Sequence, residues 1–512
     1  MQTGRFAQNR SVRISLPNFR NASGECGVIG RLRQLPCLLS LLTACCAFSS
    51  VAPAQTNPDA TLPAVEDDAA PRKPAADFAE DMEARKSYAI PAYEVLGFGF
   101  LLNQTNRRYL GNDYKSTVHT IGRNLRSGWV VDDDPFATNQ LGHPYLGTMF
   151  HGFARSSGLT FWESMGYAFG GSALWEVAGE NTRPSRNDQI ATGIGGAFLG
   201  EALFRLSSLM LEHGGSAPPL WRKVGATFIS PSNGFNRFAF GDKLAPLFAS
   251  HDPAYYSRVS VGFSGTAKVD QGTSATQLKA NEALLDYSID YGMPGKSGYT
   301  YTRPFDYFHF HASASSANGV ENVLTYGLLL GRDYQTGKIS RGVWGLYGSF
   351  DYIAPQIYRI SSTSVALGTT NEWRLGDDLA LQSSALLGMG YAAVGTTRTV
   401  NPLGEYHYGI APQTLLAARL IFADRSAFDV TIRDYFVSHA AGANRSGHDN
   451  IVRIDASYTI RVNRRHAFTV KYLGNRRNAY FPDTGSQTQS RATIGLFYTF
   501  LGQDGFGRID WQ

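Results

Sequence analysis

Run after run of residues in the last third of the chain alternates apolar and polar side chains, and the connections between runs alternate short and long. In Val452 to Val462 the even positions are Val452, Ile454, Ala456, Tyr458, Ile460 and Val462, and the odd ones Arg453, Asp455, Ser457, Thr459 and Arg461. A period of two puts each set on its own face of a strand. About twelve such segments follow one another, each near the ~10 residues that a tilted strand needs to cross a bilayer. A soluble sandwich contains one such strand by chance; a dozen with this loop rhythm predict an antiparallel transmembrane β-barrel. The expected strands are 256–267, 280–291, 303–314, 321–333, 341–353, 363–375, 378–393, 412–423, 426–438, 450–462, 465–474 and 490–501. The short connections belong on the periplasmic side and the long ones outside.

The first residues read as an export signal. Arg31 and Arg33 precede an apolar stretch from Leu35 to Val51, and Ala52-Pro53-Ala54 is a small-x-small cleavage pattern, so residues 1–54 are expected to be removed. Leu42-Thr43-Ala44-Cys45 is a rival, lipobox-like site. All four cysteines lie in this leader, so a disulfide framework or thiolate metal site is not expected beyond it. The leader also carries the excess of positive charge. Without it 41 basic and 41 acidic residues remain, so nucleic acid is not an implied partner. Outer-membrane lipid is, and so is the barrel-assembly machinery during biogenesis. No cofactor or metal is implied, and the oligomeric state is left open.

Residues 55–86, rich in Ala, Pro, Asp and Glu without periodicity, read as a disordered linker. From 87 to 213 the spacing becomes helical. Ala92–Asn103, Lys115–Leu125 and Tyr145–Arg155 are helix candidates. Thr160-x-x-Glu163 and Ser185-x-x-Asp188 start two longer ones, ending near Gly179 and His213. Gly166-x-x-x-Gly170 and Gly196-x-x-x-Gly200 are spaced for close helix approach. The fold class is therefore α+β: a periplasmic α-helical domain, a Pro/Gly-rich connector over 214–255, then the barrel over 256–512. The helical domain is expected to dock on, or plug, the periplasmic mouth.

Asn139-Gln140-x-x-His143-Pro144, His151, Ala154-Arg155, Glu163, Trp175-Glu176, Gly179-Glu180, Pro184-Ser185-x-x-Asp188, Gly195-Gly196, Gly200-Glu201, Arg205 and Asn236-Arg237-Phe238 follow one another in an order that resembles an uncharacterised bacterial envelope family known only as a domain of unknown function. The resemblance covers about 90–245 and implies an envelope protein, with no activity or catalytic residues to carry over.

Three constellations have chemical potential. Glu176 and Glu180 stand at i and i+4 on one helical face, where like charges repel. His151 and Arg155, also i and i+4, are their expected partners, as an acid–base or metal site (His151, Glu176, Glu180) or as a structural ion-pair network with Arg155 and Arg205. The polar strand faces put Asp286, Asp290, His309, His311, Asp351, Glu372, Arg374, Asp429, Arg433, Arg453, Asp455 and Arg461 in the lumen. Ser232-Asn233-Gly234 is similar to part of the His-x-Ser-Asn-Gly motif of outer-membrane phospholipase, but Ser230 stands where the histidine belongs. An unassisted serine is not activated, and the tripeptide reads as a turn. Finally, Thr493-Ile494-Gly495-Leu496-Phe497-Tyr498-Thr499-Phe500 resembles a barrel-assembly signal carried by Thr493, Gly495, Tyr498 and Phe500. The functional expectations are a non-enzymatic envelope protein, with a lipid-modifying hydrolase or acyltransferase and a small-solute channel as alternatives.

Overall fold

The computed structural model describes residues 86–132, 134–213, 218–241, 250–270, 278–396, 406–438, 447–482 and 485–509. The expected signal and nearly all of the expected linker lie outside them. Twelve antiparallel strands close into one barrel in which each strand pairs with its sequence neighbours and β1 pairs with β12. They are β1 Tyr255–Asp270, β2 Asn281–Tyr291, β3 Phe308–Ser315, β4 Gly319–Thr336, β5 Ser340–Ile353, β6 Tyr358–Arg374, β7 Leu379–Thr396, β8 Tyr406–Phe422, β9 Ser426–Ser438, β10 His448–Asn463, β11 His466–Phe481 and β12 Gly485–Leu501. Strand β9 keeps its expected bounds and most others lengthen at their ends. β3 starts five residues late because Asp306 holds a loop in front of it, accepting the Thr302 and Arg303 backbone N–H groups at 3.0 and 2.6 Å.

The alternation sorts as the pattern demands. Phe263, Leu367, Leu387, Phe468 and Leu496 are 62–73% exposed and share one face, which in a closed barrel is the outside. The opposite, charged face is buried in the lumen. On β12 the even residues Ile494, Leu496 and Tyr498 are exposed, whereas Thr493, Phe497 and Thr499 point inward. Gly495 makes room for the Phe497 ring, which a Cβ there would meet at 2.6 Å. Gly495 thus has a packing role inside the barrel, whatever else the motif does.

Ahead of the barrel stand α1 Ala89–Tyr109, α2 Val118–Asn124, α3 His143–Ser156, α4 Phe161–Leu174, the long helix α5 Arg186–Glu212, α6 Leu220–Ile229 and α7 Pro231–Phe240. The α4 capping box forms as read: Thr160 Oγ1 accepts the Glu163 N–H while Glu163 accepts the Thr160 N–H at 2.7 Å. The Tyr88 hydroxyl also donates to Glu163, at 2.6 Å. Ser185 caps α5 through the Asp188 N–H. The expected connector is not structureless: it contains α6 and α7. Ser232-Asn233-Gly234 is helical, because Pro231 at the first position of α7 starts a helix rather than a turn.

The helices do not cap a mouth of the barrel. They lie against its outer wall. Phe350 and Tyr352 are on the same face of β5 as exposed Trp344, and their register partners on β6 to β8 run into exposed Val365, Met389 and Ile410. Yet Phe350 and Tyr352 are buried, together with Tyr287, Ile289 and Tyr291 of β2 and Phe308 and Phe310 of β3. These residues form one core with Phe136, Phe161, Phe198, Leu199, Leu203 and Leu206 of the helical layer. The reason is compositional. The outward faces of β2 and β3 are aromatic, and α5 is long and apolar enough to cross a membrane, with a mean hydropathy of 1.3 and 94% of that window buried. An aromatic wall and an apolar helix bury more surface against each other than either does at a polar mouth.

Glycine sets how close the layer comes. A Cβ on Gly348 of β5 would meet the Phe198 ring at 2.6 Å, and one on Gly196 would meet the Gly147 Cα at the same distance. Gly196-x-x-x-Gly200 therefore works as a close-approach stripe, against α3. Gly166-x-x-x-Gly170 does not: both residues face open space, and the contacts expected of them come from Gly171 against Phe150 and Gly193 against Phe169.

Two outcomes check this architecture. Ile454→Arg or Tyr458→Arg, on the outer face of β10, should weaken barrel insertion by about 2–4 kcal/mol near the midplane, read as loss of heat-modifiable gel mobility. Gly348→Leu should lift the helical layer while the barrel stays folded. Proteolysis of residues 86–240 should then rise with mobility unchanged; undiminished protection would reject the outer-wall packing.

Candidate functional site

The long helix α5 positions two polar clusters, one toward each end. In the first, Glu201 is the centre. Its Oε2 accepts from Arg155 Nε at 2.6 Å and lies 3.1 Å from His151 Nε2; its Oε1 accepts from Arg205 Nε at 2.8 Å and Arg155 Nη2 at 3.1 Å. Arg205 then donates to Asp306 Oδ1 at 3.0 Å and to the Pro304 carbonyl at 2.6 Å, in the loop before β3. His151, Glu201 and Arg205 are at most 1% exposed. Both carboxylates are answered by arginines: Glu201 by Arg155 and Arg205, and Asp306 by Arg205 and by Arg303 at 3.2 Å. Arg155 and Arg205 also lie over the rings of Phe204 and Tyr291 at 4.8 and 6.0 Å. The group clamps α3 to α5 and α5 to the barrel.

The second cluster gathers where three helices take a wide, π-type turn: Thr138–Gly142 before α3, Trp175–Gly179 after α4 and Ala191–Gly195 within α5. Such turns are rare and concentrate at functional sites. Here they bring His143, Glu176 and Asp188 together, with one ligand-type atom from each within 4.8 Å of the others. Glu176 Oε2 accepts the Ser185 N–H at 2.8 Å. His143 Nε2 is 3.9 Å from Asp188 Oδ2, and its Nδ1 is 3.3 Å from Thr192 Oγ1. Asn187 donates to Asp132 Oδ1 and to the Tyr408 hydroxyl, both at 2.7 Å, and Gln140 donates to Tyr408 at 2.9 Å, so β8 closes the cluster. Glu176 lies in the turn outside the long helix and is 2% exposed.

The sequence-predicted trio is thus not brought together. His151 belongs to Glu201. Glu176 belongs to His143 and Asp188. Glu180 turns away to accept from Trp175 Nε1 at 2.8 Å and Thr182 Oγ1 at 3.2 Å. The repulsion expected from an i, i+4 pair is relieved because the π-type turn breaks the helical face between them. Arg155 and Arg205 are ion-pair partners, but of Glu201. Sequence reasoning passed over His143 and Asp188 as site residues, reading the latter as a cap. The signal available for the first cluster was the matched spacing of His151/Arg155 and Glu201/Arg205 beside glycines 147, 196 and 200.

In the lumen, the predicted residues face inward and several pair across it, while Glu372 accepts the Ile509 N–H at 3.1 Å and Arg374 donates to the Ile509 carbonyl at 3.5 Å in the segment after β12. Asp290 accepts from His309 Nδ1 at 2.7 Å and from Arg419 Nη1, of β8, at 3.0 Å. Asp429 of β9 accepts from Arg258 of β1 at 2.8 Å and Arg419 at 2.7 Å. Asp286 of β2 accepts from His311 at 2.8 Å and Lys471 of β11 at 3.0 Å, and Lys471 also holds Asp455 at 3.0 Å. Tyr435 of β9 donates to Asp351 of β5, and Tyr358 of β6 to Asn475 of β11, which also accepts from Arg453. Arg433 is buried beside this network, while Arg461 sits by the register shift at the turn end of β10. A cavity of about 100 Å³ remains among Asp286, Asp290, His309, His311 and Arg419. Arg258, Arg419 and Lys471, three of its cross-links, were not singled out from sequence, because a lone cation in a strand pattern does not show which distant strand faces it.

Breaking a buried pair by removing one partner costs about 3–5 kcal/mol. Glu201→Gln leaves Arg155 and Arg205 facing each other with one neutral acceptor. The helical layer should melt earlier by circular dichroism, and an unchanged melt would show that the cluster does not clamp it.

A search of curated proteins finds no match. Solved barrels resemble the chain at low identity. The outer membrane channel DcaP of Acinetobacter baumannii is 9% identical over 48% of this chain and 96% of its own, with a TM-score of 0.22. The NanC porin is 10% identical over 47% and 98%, with 0.22. The translocator domain of the autotransporter NalP from Neisseria meningitidis is 13% identical over 52% and 95%, with 0.21. Likeness at this level carries no functional information. Residues 128–232 match the model of a family described as a domain of unknown function (DUF3943), and this matched segment supplies the helical residues of both polar clusters.

Proposed function

We propose that this protein is a non-conducting outer-membrane barrel whose helical layer shares the bilayer with it, in a structural envelope role. The observation that carries the reading is the lumen. Arg258–Asp429, Arg419–Asp290, Lys471–Asp286 and Tyr435–Asp351 each join strands that are not neighbours in the barrel. Paired charges of both signs at 2.8–3.0 Å cross-link a lumen instead of lining a wide pore.

The layer's place follows from what it covers. It occupies the wall that the apolar outer band would otherwise present to lipid, and its own outer surface again exposes Tyr93, Phe100 and Leu101 of α1 and Trp162 and Leu174 of α4. With both polar clusters sealed inside, a layer of this kind meets lipid with apolar side chains. The short-turn end of the barrel, to which β1 and β12 both return, is the periplasmic end in this reading. Thr493, Gly495, Tyr498 and Phe500 are the groups the assembly machinery reads. A lipid-modifying reaction is less well supported: among the described residues, neither His309 nor His311 has a serine among its hydrogen-bond partners; each pairs with an aspartate.

Planar-bilayer recording of the refolded full chain tests the lumen. The wild type should show no steady conductance, and Asp290→Ala/Arg419→Ala should raise open events at least about tenfold by releasing cross-lumen contacts. Steady wild-type conductance would replace this reading with the small-solute channel.

A further inference from the structure

The two polar clusters along α5 differ in one respect that general physics does not let pass. Glu201 and Asp306 are answered by Arg155 and Arg205. Glu176 and Asp188, 2% and 1% exposed, have no arginine or lysine partner among the described residues; His143 is the one basic group beside them. Asp132, joined to Asp188 both directly and through Asn187, adds a further carboxylate to the same region. Burying carboxylates without a cation is costly, and buried charges are ordinarily paired or coordinate a metal. One acceptor is left over: Glu176 Oε1 is buried with no hydrogen-bond partner, although its other oxygen is held by Ser185 N–H. Asn139, fully buried in the same network, also leaves its Oδ1 without a partner while its amide donates to Asp132 and Tyr406.

We infer that His143, Glu176 and Asp188 form a binding site for one divalent transition-metal ion of the zinc type. An imidazole nitrogen and two carboxylates are a donor set such an ion accepts. The three come from three segments, each turned toward the others by a π-type turn, so the ion would need only a small closing of atoms already within 4.8 Å. The second shell is in place. Thr192 Oγ1 engages His143 Nδ1 and leaves Nε2 toward Asp188, the arrangement that fixes a ligating imidazole. Asn187 holds Asp188 Oδ1 at 3.1 Å, and Asn139 Oδ1 is a spare acceptor. The ligands are 1–6% exposed, which leaves no approach for a substrate, so the ion is structural: it ties α3, α4 and α5 to one another and, through Asn187 and Tyr408, to β8. None of this depends on whether the lumen conducts.

The test uses the full chain folded in detergent, stripped with EDTA, and titrated with Zn²⁺ or Co²⁺. The expected result is one Zn²⁺ per chain, a higher melting temperature of the helical layer with Zn²⁺ but not Mg²⁺, and visible Co²⁺ bands of a nitrogen/oxygen site. Glu176→Gln and His143→Ala should lose the bands and the melting shift while heat-modifiable mobility is kept. Thr192→Val should bind about 10–100-fold more weakly, and His119→Ala, at an exposed histidine of α2, should match the wild type. If His143→Ala or Glu176→Gln does not fold, the wild-type bands and the Thr192→Val affinity decide alone. A stripped, folded wild type that takes up no Zn²⁺ at micromolar concentration overturns the site. So does uptake that His143→Ala leaves intact, or an affinity that Thr192→Val does not lower.

Discussion

Everything in this molecule that is not barrel depends on burying an apolar helix, α5, against an aromatic stretch of the barrel's outer wall. A closed barrel satisfies its own backbone and has no edge to offer a partner. What it offers is side chains, and on β2, β3 and the far half of β5 these are Tyr287, Ile289, Tyr291, Phe308, Phe310, Phe350 and Tyr352. Gly348 lets Phe198 sit nearly on the strand backbone. Once α5 is fixed there, α3 follows through the Gly147–Gly196 approach, and α3 carries His143, His151 and Arg155 into their clusters. The hydrophobic contact supplies the affinity. The clamp of Arg205 supplies the register, because a slide of one turn along the wall would break its bonds to both Asp306 and the Pro304 carbonyl.

The barrel was legible in the sequence because its code is local. A period of two assigns each residue to a face without knowledge of any partner, so Val452 to Val462 sorts correctly and β9 keeps its bounds. The same locality explains the errors. Which lumen charges meet depends on strand number and stagger. Arg419 reaching Asp290 across the barrel is therefore a property of closure, not of either strand. The helical layer's location failed for a related reason. Aromatic outward faces on β2 and β3 look like a lipid belt from sequence, and nothing within those strands says that a helix takes lipid's place.

The helical site was half legible. Spacing of four identified His151/Arg155 and Glu176/Glu180 as pairs, but the partner of a helical face is set by how helices pack, and glycine decides that. Gly196-x-x-x-Gly200 and Gly166-x-x-x-Gly170 have the same pattern, yet only the first is opposed by another glycine, Gly147, close enough to use it. The π-type turn at Trp175–Gly179 was invisible too. It separates Glu176 from Glu180 and delivers Glu176 to His143 and Asp188 instead.

The two clusters together suggest why the layer carries so much polarity through an apolar setting. Apolar packing alone specifies that α5 lies on the wall, but not where along it. Directional groups that must be paired supply that specificity. Toward the barrel's terminal end this is done by arginine forks, whose charge is permanent and whose geometry is bidentate. Toward the other end, beside Tyr406 and Tyr408, the groups are carboxylates, an imidazole and the amides of Asn139, Gln140 and Asn187, which reach the two tyrosine hydroxyls. The layer is therefore held to the wall at two separated places, through Arg205 on Asp306 and through Asn187 on Tyr408, and two directional contacts along one helix fix its position where apolar packing alone would let it slide.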